Sequence, residues 1–132
     1  MRKGFSLFEI LIALSLMALL SSFALPNLQK IQNKSKLLAS EINAKTFQSA
    51  VENYYLDQGI YPLGSLTASE LFVELHNKDI LNVTPINPFY KKAYAKSDVK
   101  GKIIYNSSSG DKYQLVLYAA DGAKVRMTLV NF

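Results

Sequence analysis

The sequence predicts an α+β protein in which one long N-terminal helix, transmembrane in its first half, packs on a small antiparallel three-stranded β-meander. Three observations carry that expectation. An apolar run extends from Phe5 to Leu25, helical spacing of apolar residues continues to Tyr55, and the last third of the chain is rich in Tyr, Val, Ile and Leu between turn residues. At 132 residues the chain has room for one globular domain with a modest core.

Residues 5–25 contain a single charged residue, Glu9. As a helix rising about 1.5 Å per residue, the segment is roughly 32 Å long and matches a hydrocarbon core of roughly 30 Å. A core helix of that length would need a larger domain than this chain supplies, so the segment reads as membrane-spanning. Arg2 and Lys3 precede it, and the positive-inside bias places the N-terminus in the cytoplasm. A cleaved secretory signal, with Ser22 and Ala24 at its cut site, is the competing reading. Against it, the run exceeds the usual apolar region of about 7–15 residues and holds a carboxylate. An ordinary signal anchor leaves Glu9 unexplained, because an ionised carboxylate at a helix centre costs about 2.5–3.5 kcal/mol.

Over 27–55, Leu28, Ile31, Leu38, Ile42, Phe47, Val51 and Tyr54 recur at mostly three- and four-residue steps, predicting a helix with one apolar face. Pro26 removes a backbone donor and is expected to kink one continuous helix. Gly59 and Pro62, in "YYLDQGIYP", end it. A short helix over 67–77 follows from the capping box Thr67-Ala68-Ser69-Glu70 and the apolar residues Leu71, Phe72 and Leu75. Residues 78–100, with Pro85 and Pro88, read as a surface loop. The meander occupies 102–130, with strands at Lys102 to Asn106, Lys112 to Tyr118 and Lys124 to Val130. Ser107 to Asp111 and Asp121-Gly122 form its turns.

The stretch "KGFSLFEI" resembles the class III signal of type IV pilins and type II secretion pseudopilins, and Pro26 falls where that family places a proline. The resemblance implies a leader, 1–4, removed by prepilin peptidase between Gly4 and Phe5, with methylation of the new Phe5 amine. Residues 5–25 then form the transmembrane and filament-core half of the helix, and 26–132 the periplasmic pilin domain. It implies an inner-membrane, single-pass protein later extracted into an envelope filament. Expected partners are copies of the chain, other pseudopilins, the prepilin peptidase and the assembly platform. Glu9 would pair with the Phe5 amine of a neighbour and set the assembly register, since stripping one member from a buried ion pair costs about 3–5 kcal/mol.

"YLDQGIYP" and "YAADG" are similar to major pseudopilins, and Asn87-Pro88-Phe89 looks like a diverged form of their aspartate-proline-aromatic loop. Those pseudopilins hold calcium through carboxylates beyond this turn. Asp121 matches one, but "GAKVRMTLVNF" contains no later acid, so no metal and no cofactor are expected. Ala18 stands where pilins often carry a glycine linked to helix melting in the filament, which argues against such melting here.

Cysteine is absent, which excludes the C-terminal disulfide of many pilins and any thiolate chemistry. His76 is the single histidine and is expected at the surface, and no nucleotide-binding glycine motif occurs; an enzyme is not expected. A second reading is an uncleaved, anchored binding module. It would present Tyr54, Tyr55, Tyr61, Tyr90 and Tyr94, interspersed with Lys91, Lys92, Lys96 and Lys100, to DNA or an envelope protein. Core tyrosines beside solvated lysines explain the same pattern more simply. A type IV pilin or a competence pseudopilin for DNA uptake is the alternative within the family. The sequons at Asn82 and Asn106 are expected to be turn residues.

Overall fold

A computed structural model describes residues 3–131. Arg2, half of the expected basic leader, lies outside the described residues. The chain divides into two units, Met1–Lys34 and Ser35–Phe132. Helix α1 is one element, Leu7–Gln58, and runs unbroken through Ala18 and Pro26. It begins two residues after the start of the apolar run because Ser6 caps it (below). It ends three residues later than expected, at Gln58, where Gly59 takes φ 76° and donates its N–H to the Tyr55 carbonyl at 2.8 Å. Such a left-handed stop is open to glycine at little cost.

In the first unit the apolar side chains have no core to enter. Phe5 is 86% exposed, and every described residue from Lys3 to Lys34 is exposed. α1 is long and apolar enough to cross a membrane, with none of its most apolar window buried.

The second unit adds β1 (Gly64–Thr67), α2 (Ala68–His76), β2 (Ile86–Asn87), β3 (Lys92–Ala93), β4 (Ile103–Ser107), β5 (Gln114–Tyr118) and β6 (Val125–Val130). The expected meander is present as β4, β5 and β6, and the main sheet has the order β1-β4-β5-β6, antiparallel throughout. The fourth strand is an addition. "GSLT" carries one apolar residue, Leu66, and pairs opposite Tyr105; it is an edge strand made by its partner rather than by its own pattern. The expected loop 78–100 also holds a two-residue ladder, β2 with β3.

Alternation turns Ile103, Tyr105, Leu115 and Leu117 inward. They form one core with Leu71 and Leu75 of α2 and with Ala44, Phe47, Ala50, Val51 and Tyr54 of α1. The helix therefore has two apolar faces, not one. Leu38 and Ile42, expected to line the core with Phe47, are 46% and 66% exposed, and Leu28 and Ile31 are exposed as well. The reason is the five-residue step from Ile42 to Phe47, which turns the apolar side about 140° around a helix of 3.6 residues per turn.

Polar pins hold the elements together. The N–H and hydroxyl of Thr67 both donate to the Glu70 carboxylate, at 2.9 and 2.7 Å. Lys96 and Thr67 together hold that carboxyl down, at a pKa of about 2. Asn87 is fully buried; its amide donates to Asp98 and to the Lys100 carbonyl and accepts the Phe89 N–H, so the 78–100 segment is pinned rather than loose. Gly101, at φ 63°, packs under Phe89 and Ser40, where a Cβ would stand 2.7 Å from the ring.

Candidate assembly site

Residues 3–6 are not helical, and Gly4 and Phe5 are exposed ahead of the first turn of α1. Ser6 stops the helix there. Its N–H donates to the Glu9 carboxylate at 2.9 Å, and the Glu9 N–H donates to the Ser6 hydroxyl at 3.2 Å. This is a reciprocal capping box, and it uses a carboxylate in the first turn, where the helix dipole favours negative charge. Glu9 is therefore partly accounted for within its own chain. The signal was available as Ser6-x-x-Glu9, but apolar flanks on both sides drew the reading toward the membrane instead of the cap.

Only one carboxylate oxygen of Glu9 is engaged; the other has no hydrogen-bond partner among the described residues. Phe5, Glu9, Ile10, Ala13, Leu14 and Met17 line one concavity of roughly 510 Å³. An acceptor beside a non-helical chain start, at the edge of an apolar hollow, can take a cation from another molecule. Pro26 lies inside α1, where its missing N–H leaves the Ser22 carbonyl without a helical donor.

The remaining sequence-singled residues do not converge on a second site. Asp121 accepts the Ala123 and Lys124 N–H groups at 3.0 Å each, closing its turn, and these bonds hold its carboxyl below the usual range. No cluster of three metal-ligating side chains occurs among the described residues. His76 is exposed, stacked on Phe72 and near the Leu81 carbonyl. Tyr54, Tyr61 and Tyr94 are buried in the core, whereas Tyr55 and Tyr90 are 38% and 40% exposed. Asn82 is exposed and irregular, but Asn106 lies within β4 and is not a turn residue.

Residues 1–25 match the prokaryotic N-terminal methylation motif family. A fimbrial protein of Neisseria meningitidis serogroup A is 27% identical over 124 residues, covering 93% of this chain and 70% of the relative. The type IV major pilin protein PilE of Neisseria gonorrhoeae is 32% identical over 52% of this chain and 41% of its own. Fimbrial protein EcpC of Eikenella corrodens is 31% identical over 51% of this chain and 44% of its own. The chain thus spans less than half the length of the last two. No solved structure matches it. The N-terminal motif, the apolar-led helix, the antiparallel sheet and these fimbrial relatives together make the chain similar to the type IV pilin family.

Proposed function

We propose that the chain is the structural subunit of a pilus-like filament, matured by cleavage after Gly4 and assembled through the exposed apolar part of α1. The observation that carries this reading is Glu9. Its half-used carboxylate sits four residues from the Phe5 position, where cleavage would create an amine. Pairing that amine with Glu9 of a neighbour neutralises both charges in the apolar layer and fixes the register between copies. Leu38, Ile42 and Leu56, exposed on the side of α1 away from the sheet core, add apolar surface for the same packing.

The orientation rests on the motif rather than on charge. Lys30, Lys34 and Lys36 follow Leu25, so basic residues flank the span on both sides and the positive-inside bias does not decide. A Gly4-Phe5 junction read by a cytoplasm-facing peptidase would place the N-terminus in the cytoplasm and residues 26–132 outside it.

A pseudopilin of a secretion-like system is favoured by the absence of cysteine and by "YLDQGIYP" and "YAADG". The named relatives are fimbrial proteins and major pilins, which favours a type IV pilus subunit as the second reading. Both use the same site. Glu9→Ala should be inserted and trimmed like the native chain yet give filament yields at least about tenfold lower in a sheared-filament assay, about 1.4 kcal/mol or more of lost pairing. Normal filament yield from this variant would remove the register role.

A further inference from the structure

One end of the second unit carries a cluster of unpaired lysines. Lys91 and Lys92 follow Tyr90, whose hydroxyl accepts the N–H groups of Val99 and Lys100 at 3.4 Å. Lys102 lies over the Tyr118 ring at 4.4 Å, and Lys124 is tied to the same edge by its carbonyl, which accepts the Ala119 N–H. The Gly101 N–H donates to the Ala119 carbonyl, and Val99 packs against Gly122, so these segments are neighbours. None of Lys91, Lys92, Lys100, Lys102 and Lys124 forms an ion pair among the described residues.

The acids within the same segments are already used. Asp98 accepts from Asn87 and Ala95, and Asp121 from Ala123 and Lys124. Their bonds are internal, so the lysines present a surplus of positive charge outward. Val99 is 52% exposed and Tyr90 40% exposed among them. The two aromatic rings are poor platforms for stacked bases: Tyr118 is covered by Lys102, and the Tyr90 hydroxyl is tied to the loop. Lysines around an exposed tyrosine and an aliphatic side chain instead suit a headgroup layer, where ammonium groups meet phosphates and the tyrosine meets the apolar boundary.

The location within this unit agrees. Gly101 packs on Ser40, the first buried residue of α1, and Asn43 donates to the Ile86 carbonyl. Residues adjoining the cluster therefore contact the first buried part of α1 within this unit, which begins at Ser35, ten residues of chain after Leu25. A span on the same helix keeps the cluster at high effective concentration near a bilayer surface.

We infer that this lysine cluster docks the globular unit on an anionic phospholipid surface while the subunit resides in the membrane. The inference rests on membrane insertion of residues 5–25. The test places the full chain in nanodiscs of phosphatidylcholine alone or with phosphatidylglycerol and follows lysine acylation by mass spectrometry. Lys45, Lys78 and Lys112 serve as reference lysines. Phosphatidylglycerol should slow acylation of the five lysines several-fold relative to the references at low ionic strength, and about 0.5 M salt should abolish the difference. Amide exchange over residues 90–100 should slow in the same discs, and K91Q/K92Q/K100Q/K102Q/K124Q, with an unchanged circular dichroism spectrum, should lose that protection. Equal acylation in both discs, or protection by added duplex DNA with none from phosphatidylglycerol, would overturn the inference. A chain that does not enter discs at all would overturn the span itself, and the docking with it.

Discussion

Glu52 on α1 accepts the phenol protons of Tyr61 at 2.9 Å and Tyr113 at 2.7 Å, while the Tyr105 hydroxyl donates to the Pro62 carbonyl at 2.8 Å. One carboxylate thus joins the helix to the segment after it and to Tyr113, the residue just before β5. Glu52→Ala would leave two buried phenols without their acceptor, and thermal unfolding should show a loss of roughly 2 kcal/mol; an unchanged midpoint would mean water replaces the carboxylate freely. The same cluster sets an alkaline limit. Burial, then the bond to Glu52, pushes Tyr61 up to about 12, and burial also raises Tyr105 and Tyr113. A phenol whose folded pKa lies above its unfolded value of 10 contributes stability fully present below pH 10. That contribution is lost as pH rises from about 10 toward 12. Denaturant midpoints should hold to about pH 9.5 and fall steeply above it, and a flat profile to pH 11.5 would contradict the cluster's role.

At the scale of elements, α1 serves two environments with two apolar faces, and the core face does most of the work of folding the second unit. Phe47, fully buried against Tyr94 and the sheet, should cost about 3–5 kcal/mol on replacement by Ala, whereas Ile42→Ala, with its side chain 66% exposed, should change monomer stability by less than about 0.5 kcal/mol. Gly101→Ala should destabilise through its positive φ and its contact with Phe89; chemical denaturation of the three variants checks the order. Much of this arrangement was legible. Gly59 marked the helix end, Thr67 and Glu70 the start of α2, and the Tyr/Val/Leu runs the meander, because each is a local signal. What was not legible depended on partners distant in sequence. β1 exists through its pairing with β4, and Ile42 looked like a core residue until the five-residue step to Phe47 was resolved in space. At the candidate site Gly4, Phe5 and Glu9 stand out in the sequence, whereas the Ser6–Glu9 cap and the hollow lined by Ile10, Ala13, Leu14 and Met17 do not, because each depends on where the helix starts in space.

For the whole molecule, the division of labour is between a first unit whose described apolar residues are all exposed and a second unit with its own core. A protein built this way needs a bilayer, or copies of itself, around residues 5–25. In the proposed function one covalent event, cleavage at Gly4-Phe5, would link those two states by supplying a cation for Glu9 to pair with. The most direct test is the intact mass and N-terminal sequence of the membrane-extracted protein from its native host. A chain that begins at Phe5 and carries one added methyl group on its amine is the predicted result. A chain that still begins at Met1, or one that begins at Leu25, would contradict it.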